Sequence, residues 1–402
     1  MTLALDILLR PPLASKGTAY TCAQIARGLA GPDLAVRLVT PRARAVSIAP
    51  AEVVEVLPAW TRRLPFRVLR PLVGDRLENA FLAHSQRSGR QHAAYIWADA
   101  HLSTLNALRQ RGTPIFREMI NGPRGAAKTI LDREYRSIGA DAVHGITEHS
   151  VADEDLALRA ADYVFCANPF VEQSVMARGV PAANVLRASY GWDPHRFMGS
   201  RRLLAPAEGL TALFVGLISV RKGVHLLLEA WARSRVRGRL VLAGKMEPAI
   251  RAHCGYLLSR PDVIVLDYVE DIGAAYRSAD VFVFPTLEEG GPQVTYEACG
   301  CGLPVITTPM GAGRIARQGR EGFVLDPHDA TAWKEALQAM AEDHGRRHAM
   351  AEQATRRAQL FRWDLVARRR RAQILDRLSA AFSQGGLRDD RASAAPELEA
   401  VV

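Results

Sequence analysis

In the stretch "PTLEEGGPQVTYEACGCGLPVITTPMG", residues 285–311, Glu289 and Glu297 stand on either side of a Gly-Gly-Pro turn set between two apolar runs. Gly290 and Gly291 let the backbone turn closely, and Pro292 suits the opening of a helix that Gln293 to Gly300 continues. A helix mouth offers unpaired N–H groups and the positive end of the helix dipole, so the turn is built to receive an anion. A carboxylate against a polyphosphate would be repelled. Set a few ångströms further along, it accepts hydrogen bonds from hydroxyls, and sugars and riboses carry hydroxyls in number. Upstream, Arg221, Lys222 and Gly223 stand at the mouth of a second helix that begins near Val224. Two fixed cations and a helix amino terminus both favour a phosphate, the alternative being a solvated basic loop.

These residues need elements to hold them. Short β-branched runs alternate with longer helical patterns along the chain. "LALDILL", "LAVRLVT", "AAYIWAD", "TPIFREM" and "DYVFCAN" have the composition of strands in the first half; "LTALFVG", "RLVLAGK", "DVIVLDY", "DVFVFPT", "LPVITTP" and "GFVLDP" have it in the second. Stretches such as "GTAYTCAQIARGLA" and "DATAWKEALQAMAED" repeat apolar residues at three and four, as helices do. The alternation predicts an α/β chain of two doubly wound parallel-sheet domains, whose working loops follow the strands. With 402 residues and 48% hydrophobic content, two cores are expected. The break falls after "ASYGWDPHRF", where "MGSRRLLAPAEG" is small, polar and unpatterned. Residues 383–402 hold too little apolar pattern to pack and are expected to be a disordered tail.

Composition excludes several classes. No run approaches the ~18 apolar residues of a membrane span, and Asp6 interrupts the apolar start, which reads as a buried strand rather than a signal peptide. Five cysteines without CxxC spacing argue against a zinc site or disulfide framework and fit a reducing cytoplasm. The net charge of +10 is spread along the chain, and nucleic-acid binding would need a concentrated patch. One local cluster, Trp60 to Arg76, interleaves Arg62, Arg63, Arg67 and Arg70 with Trp60, Leu64, Phe66, Val68 and Leu69. That mixture suits an anionic bilayer surface, and equally a solvated loop with a short helix. "GAGRIA", Gly311–Ala316, matches a dinucleotide fingerprint but comes too late in the chain. Asp153–Asp155 reads as the capped start of a helix, and His144 and His149 as surface residues.

"FVGLISVRKGVHLLLEAW", "DYVEDIGAAYRSADVFVFPTLEEGGPQVTYEACGCGLPVITTPMGAG", "EGFVLDPHD" and "FRWDLVARR" occur in an order that resembles the donor domain of family 4 glycosyltransferases. The likeness covers roughly residues 188–377. It implies a retaining, metal-independent enzyme of the GT-B fold, two Rossmann-like domains facing a central cleft. Residues 1–197 would form the acceptor-side domain, joined by a crossover C-terminal helix at 364–381, and residues 198–363 the nucleotide-sugar domain. The reaction implied moves a hexosyl-type sugar from a nucleoside-diphosphate sugar to a hydroxyl of a sugar or lipid-linked acceptor, in polysaccharide or lipid-linked glycan assembly. No cofactor, metal or nucleic acid is implied. A cytoplasmic place follows, peripheral to the inner face of the membrane where residues 60–76 would rest.

The resemblance also implies roles. Lys222 and Arg221 would hold the diphosphate; Glu289 would bind sugar hydroxyls and support positive charge at the anomeric carbon. Glu297 would accept from the ribose, the amides of Gly290 and Gly291 would lie near sugar and phosphate, and Val269 near the base. Lys16 and Gly17, after the first strand, would face the donor, and Glu118 and Asn121, after "TPIF", the sugar and acceptor. Several positions depart from the family's pattern. Gly216 is followed by Leu217 where arginine is common, so Arg221 would supply that charge. Gly291 replaces an aromatic residue, which would widen the space near the sugar, Lys16 replaces a glycine, and "REMING" stands where a histidine is often found. A nucleotide-sugar epimerase or hydrolase would share the donor site. A non-catalytic membrane- or nucleic-acid-binding module would instead survive loss of Glu289.

Overall fold

The computed structural model describes residues 3–44, 46–86 and 91–383. The expected tail lies outside them, apart from Ser383, the last residue of the terminal helix. Among the described residues thirteen strands form two sheets. The first comprises β1 (Leu3–Leu9), β2 (Leu34–Thr40), β3 (Glu52–Glu55), β4 (His92–Trp97), β5 (Ile115–Met119), β6 (Tyr163–Cys166) and β7 (Val185–Arg187). The second comprises β8 (Leu210–Val215), β9 (Gly238–Ala243), β10 (Val263–Leu266), β11 (Val281–Phe284), β12 (Val305–Thr307) and β13 (Gly322–Val324). Their orders, β3-β2-β1-β4-β5-β6-β7 and β10-β9-β8-β11-β12-β13, follow the doubly wound pattern, winding one way from the first strand and then the other. Parallel strands covered by helices on both faces must be apolar throughout, and β8 is buried at every position.

The described chain divides into two compact units. One holds the residues up to Glu118, Asp155–Phe165 and those from Ala367 on; the other holds Met119–Glu154 and Cys166–Val366. The first unit takes the end of the terminal helix, Trp363–Ser383, into its core. There Arg371 donates to the Leu29 carbonyl and to Asp33, both at 3.1 Å. The Arg370 guanidinium reaches both oxygens of Glu118, at 2.5 and 3.0 Å. Two expectations are corrected here. Asp153–Asp155 do not open a helix; they lie in the middle of Glu148–Ala160. His144 is no loose surface residue, because its Nε2 meets Asp132 at 2.8 Å. Among the described residues no helix is long and apolar enough to cross a membrane.

Candidate active site

In the second sheet β8 lies between β9 and β11, so chains leaving β8 and β11 diverge and open a crevice at their carboxyl ends, where such sheets bind ligands. The two exits are residues 216–223 and 285–292. Gly223 closes the first with φ of +67° as the N-cap of the helix Val224–Ser234. A Cβ there would lie 2.1 Å from the Pro285 carbonyl oxygen, so only glycine lets the two loops touch. The Leu287 N–H then donates to the Arg221 carbonyl at 3.0 Å.

This contact sets two cations against two carboxylates. Arg221 is ion-paired with Glu288 and donates to Asn121 Oδ1 at 2.8 Å. Glu288 is 1% exposed and also accepts the Gly122 N–H at 2.8 Å. Burial raises its pKa and the charge of Glu289 adds to that, while Arg221, Lys222 and the Gly122 N–H oppose it. Lys222 is ion-paired with Glu289 and sits 5.7 Å from the centre of the Phe284 ring. An anion that binds Lys222 therefore competes with Glu289 for it. Sequence reasoning passed over Glu288, although the doubled acid in "LEEGG" was the signal for it.

Gly290 and Gly291 are buried in the turn before the helix Gln293–Gly300, which carries Glu297. Gly291 does not widen the space as expected: a Cβ there would come within 2.4 Å of the Tyr190 ring, which fills it. Glu297 is buried and accepts from Gln293 Nε2 at 2.8 Å and the Tyr276 hydroxyl at 3.3 Å. Burial raises its pKa, against the pull of Gln293, Arg196 and Tyr276. The two acids thus serve different neighbours. Gly216 follows β8 directly with φ of +143°, and Val269 lines a cavity of about 550 Å³ beyond the β10 edge, with Tyr268 and Asp271.

Within the first unit, Lys16 is the N-cap of the helix Gly17–Leu29, and both Lys16 and Gly17 are exposed. Glu118 must be corrected. It lies on β5 with no exposure, takes Arg370 and, at 2.5 Å, the Tyr95 hydroxyl, and so presents no carboxylate to a ligand. Its charge is consumed in the core. The crevice of this sheet, between β1 and β4, instead brings Arg10 to His101 Nε2 at 3.0 Å. The His101 N–H donates to Glu78 at 2.8 Å, and Ala98 holds φ of +78° beside them, a conformation costly without glycine. These residues were also missed; the loop after "HAAYIW" was where to look. Among the described residues, no group of three His, Cys, Asp or Glu is placed to hold a metal ion.

Comparison with known proteins agrees with the two-sheet fold. Residues 209–343 match the family described as Glycosyl transferases group 1. The D-inositol 3-phosphate glycosyltransferase of Salinispora tropica is 28% identical over 377 residues, covering 85% of this chain and 77% of the relative. Among solved structures, sucrose-phosphate synthase from Thermosynechococcus elongatus aligns with a TM-score of 0.71 at 19% identity, over 94% of this chain and 99% of that one. HepE from Anabaena, solved in complex with UDP-glucose, aligns at 0.64 and 16% identity, over 93% and 99%. The chain is a glycosyltransferase of two Rossmann-like sheets in the GT-B manner, similar over residues 209–343 to the Glycosyl transferases group 1 family.

Proposed function

We propose that the crevice between β8 and β11 takes a nucleoside-diphosphate sugar and that the enzyme passes its sugar to a hydroxyl acceptor with net retention at the anomeric carbon. The observation that carries this is the meeting of Arg221, Lys222 and Glu289 at that crevice. HepE, of the same fold, was solved with UDP-glucose, which supports a nucleotide-sugar donor here. Lys222 and Arg221 would neutralise the charge that gathers on the β-phosphate as the bond to the sugar breaks. One cation at about 4 Å, in an effective dielectric near 20, contributes roughly 4 kcal/mol to that, so no metal ion is needed in this reading. Glu289, freed from Lys222 by the diphosphate, turns to the sugar hydroxyls, and Glu297 accepts from the ribose. Glu288 touches no ligand; it orients Arg221 and ties residues 121–122 to the same loop.

The acceptor is proposed to be a sugar or lipid-linked glycan hydroxyl, with residues 60–76 resting against a membrane. A panel of nucleotide-sugars tested by thermal stabilisation identifies the donor; a ligand at about 100 times its Kd adds roughly 2.7 kcal/mol. Labelled donor incubated without acceptor should stay intact. Rapid release of free sugar or an altered sugar would turn the reading toward hydrolysis or epimerisation.

A further inference from the structure

The exits of β8, β9 and β10 lie side by side in the second sheet. The Gly216 N–H donates to the Ala243 carbonyl at 3.0 Å, and the Gly244 N–H to the Leu266 carbonyl at 2.9 Å. The cavity of about 550 Å³ at the end of β10 therefore lies at the same carboxyl edge as the crevice holding Lys222. Two strand spacings, about 10 Å, separate them, a span that a ribose can bridge between a diphosphate and its base. The helix Ile272–Tyr276 makes a second link. Asp271 caps its start beside the cavity, and the Tyr276 hydroxyl at its end meets Glu297, the carboxylate proposed for the ribose, at 3.3 Å.

Two segments line the cavity. Arg201 comes from the linker, which is fixed where Arg277 donates to the Arg201 carbonyl at 2.8 Å and the Leu203 N–H to the Ser278 hydroxyl at 2.7 Å. Asp267, Tyr268, Glu270 and Asp271 come from the loop after β10. Asp271 is already engaged, accepting the Ala274 N–H at 2.9 Å and lying 3.6 Å from Arg277. The side chains of Arg201, Asp267 and Glu270 are exposed and take no hydrogen bond or ion pair from any described residue. Tyr268, 60% exposed, offers a ring on which a base can stack. A guanidinium donates two parallel N–H bonds, and a carboxylate accepts two. Guanine sets two acceptors, O6 and N7, side by side on one edge and two donors, N1–H and the 2-amino group, side by side on another. Uracil has a single N–H between two carbonyl oxygens, which would repel a carboxylate placed there.

We infer that the donor is a guanosine diphosphate sugar whose base stacks on Tyr268, with Arg201 on O6 and N7 and the carboxylates of Asp267 and Glu270 on N1–H and the 2-amino group. This rests on the donor reading above and names its nucleotide. Titration calorimetry of the full chain with GDP, UDP, ADP, CDP and inosine diphosphate tests it. GDP should bind about tenfold more tightly than UDP, ADP or CDP, or better. Inosine diphosphate, which lacks only the 2-amino group, should bind about tenfold more weakly than GDP. Asp267→Asn/Glu270→Gln should bring GDP and inosine diphosphate within about threefold of each other. Arg201→Gln should weaken GDP about tenfold and leave UDP within about threefold. Both variants change exposed side chains, so the ligand-free melting temperature should stay at the wild-type value. Tyr268→Ala should weaken all five ligands alike, roughly tenfold, and keep GDP first. Binding led by UDP, ADP or CDP would overturn the guanine assignment while leaving the phosphate crevice in place. A preference for GDP unchanged in the Arg201 and the Asp267/Glu270 variants would put the base elsewhere and overturn the site. No binding of any of the five would overturn the donor reading and this inference with it.

Discussion

Lys222→Ala removes the cation on which the phosphate assignment turns. Its side chain is only 15% exposed, so solvent weakens its field less than at an open surface. At about 4 Å from a phosphate oxygen, with an effective dielectric near 20, the ammonium contributes roughly 4 kcal/mol. Part of that is offset, since binding disturbs its existing pair with Glu289, worth about 1 kcal/mol. The remaining ~3 kcal/mol corresponds to a loss of roughly 150-fold in Kd. A nucleoside diphosphate at about 100 times its Kd stabilises wild type by roughly 2.7 kcal/mol; at the same concentration the variant would keep about 0.3 kcal/mol. Thermal denaturation with and without ligand reads this as a shift of several degrees falling to nearly none. The free variant should also melt lower, because Glu289 is left without its cation. Lys222→Ala/Glu289→Gln should recover that stability but not the ligand response, which separates folding from binding. A single variant that keeps the full response would show that the phosphate is held elsewhere.

Glu289→Gln should retain nucleoside diphosphate binding within about tenfold while sugar transfer falls by about 100-fold or more, in line with loss of one charge-stabilising group; intact transfer would remove Glu289 from the chemistry. Gly291→Phe should lower the urea midpoint by the equivalent of about 1–3 kcal/mol, because the ring collides with Tyr190. Adding Tyr190→Ala should restore much of it, and no rescue would mean the strain lies in the backbone. Glu297 has a folded pKa above its ordinary 4.5, so its stabilising contribution is full below that value and is lost as pH rises through the folded value. Glu297→Gln should therefore be more stable than wild type to urea at neutral pH and show a flatter profile from about pH 4.5 upward. A wild type that loses stability as pH falls across that window would contradict the assignment.

The long strands were legible because burial on both faces writes continuous apolar runs, as in "LALDILL" and "LTALFVG". β3, with a glutamate at each end, and β7, closing on an exposed arginine, carry no continuous apolar run and were missed. The acids at 153–155 imitated a cap, yet the helix already begins at Glu148. Lys222 and Glu289 could be found locally, since each stands where a strand gives way to a glycine-opened helix. Glu118 and Glu288 could not be judged that way. What decides the one is Arg370, 252 residues on, and what decides the other is the Gly122 N–H, 166 residues back. Local pattern holds no record of such partners.

The pairing of Glu118 with Arg370 also sets a timetable on the ribosome. The Glu118 carboxylate is enclosed with its guanidinium partner 252 residues downstream. At about 5–20 residues per second, that partner is made roughly ten to fifty seconds later. Throughout that interval the nascent amino-terminal segment would have to seal in a bare charge, which costs several kcal/mol. The segment synthesised first is therefore among the last to reach its final state, and a message truncated just before codon 370 would yield a product whose opening hundred residues stay open to proteases.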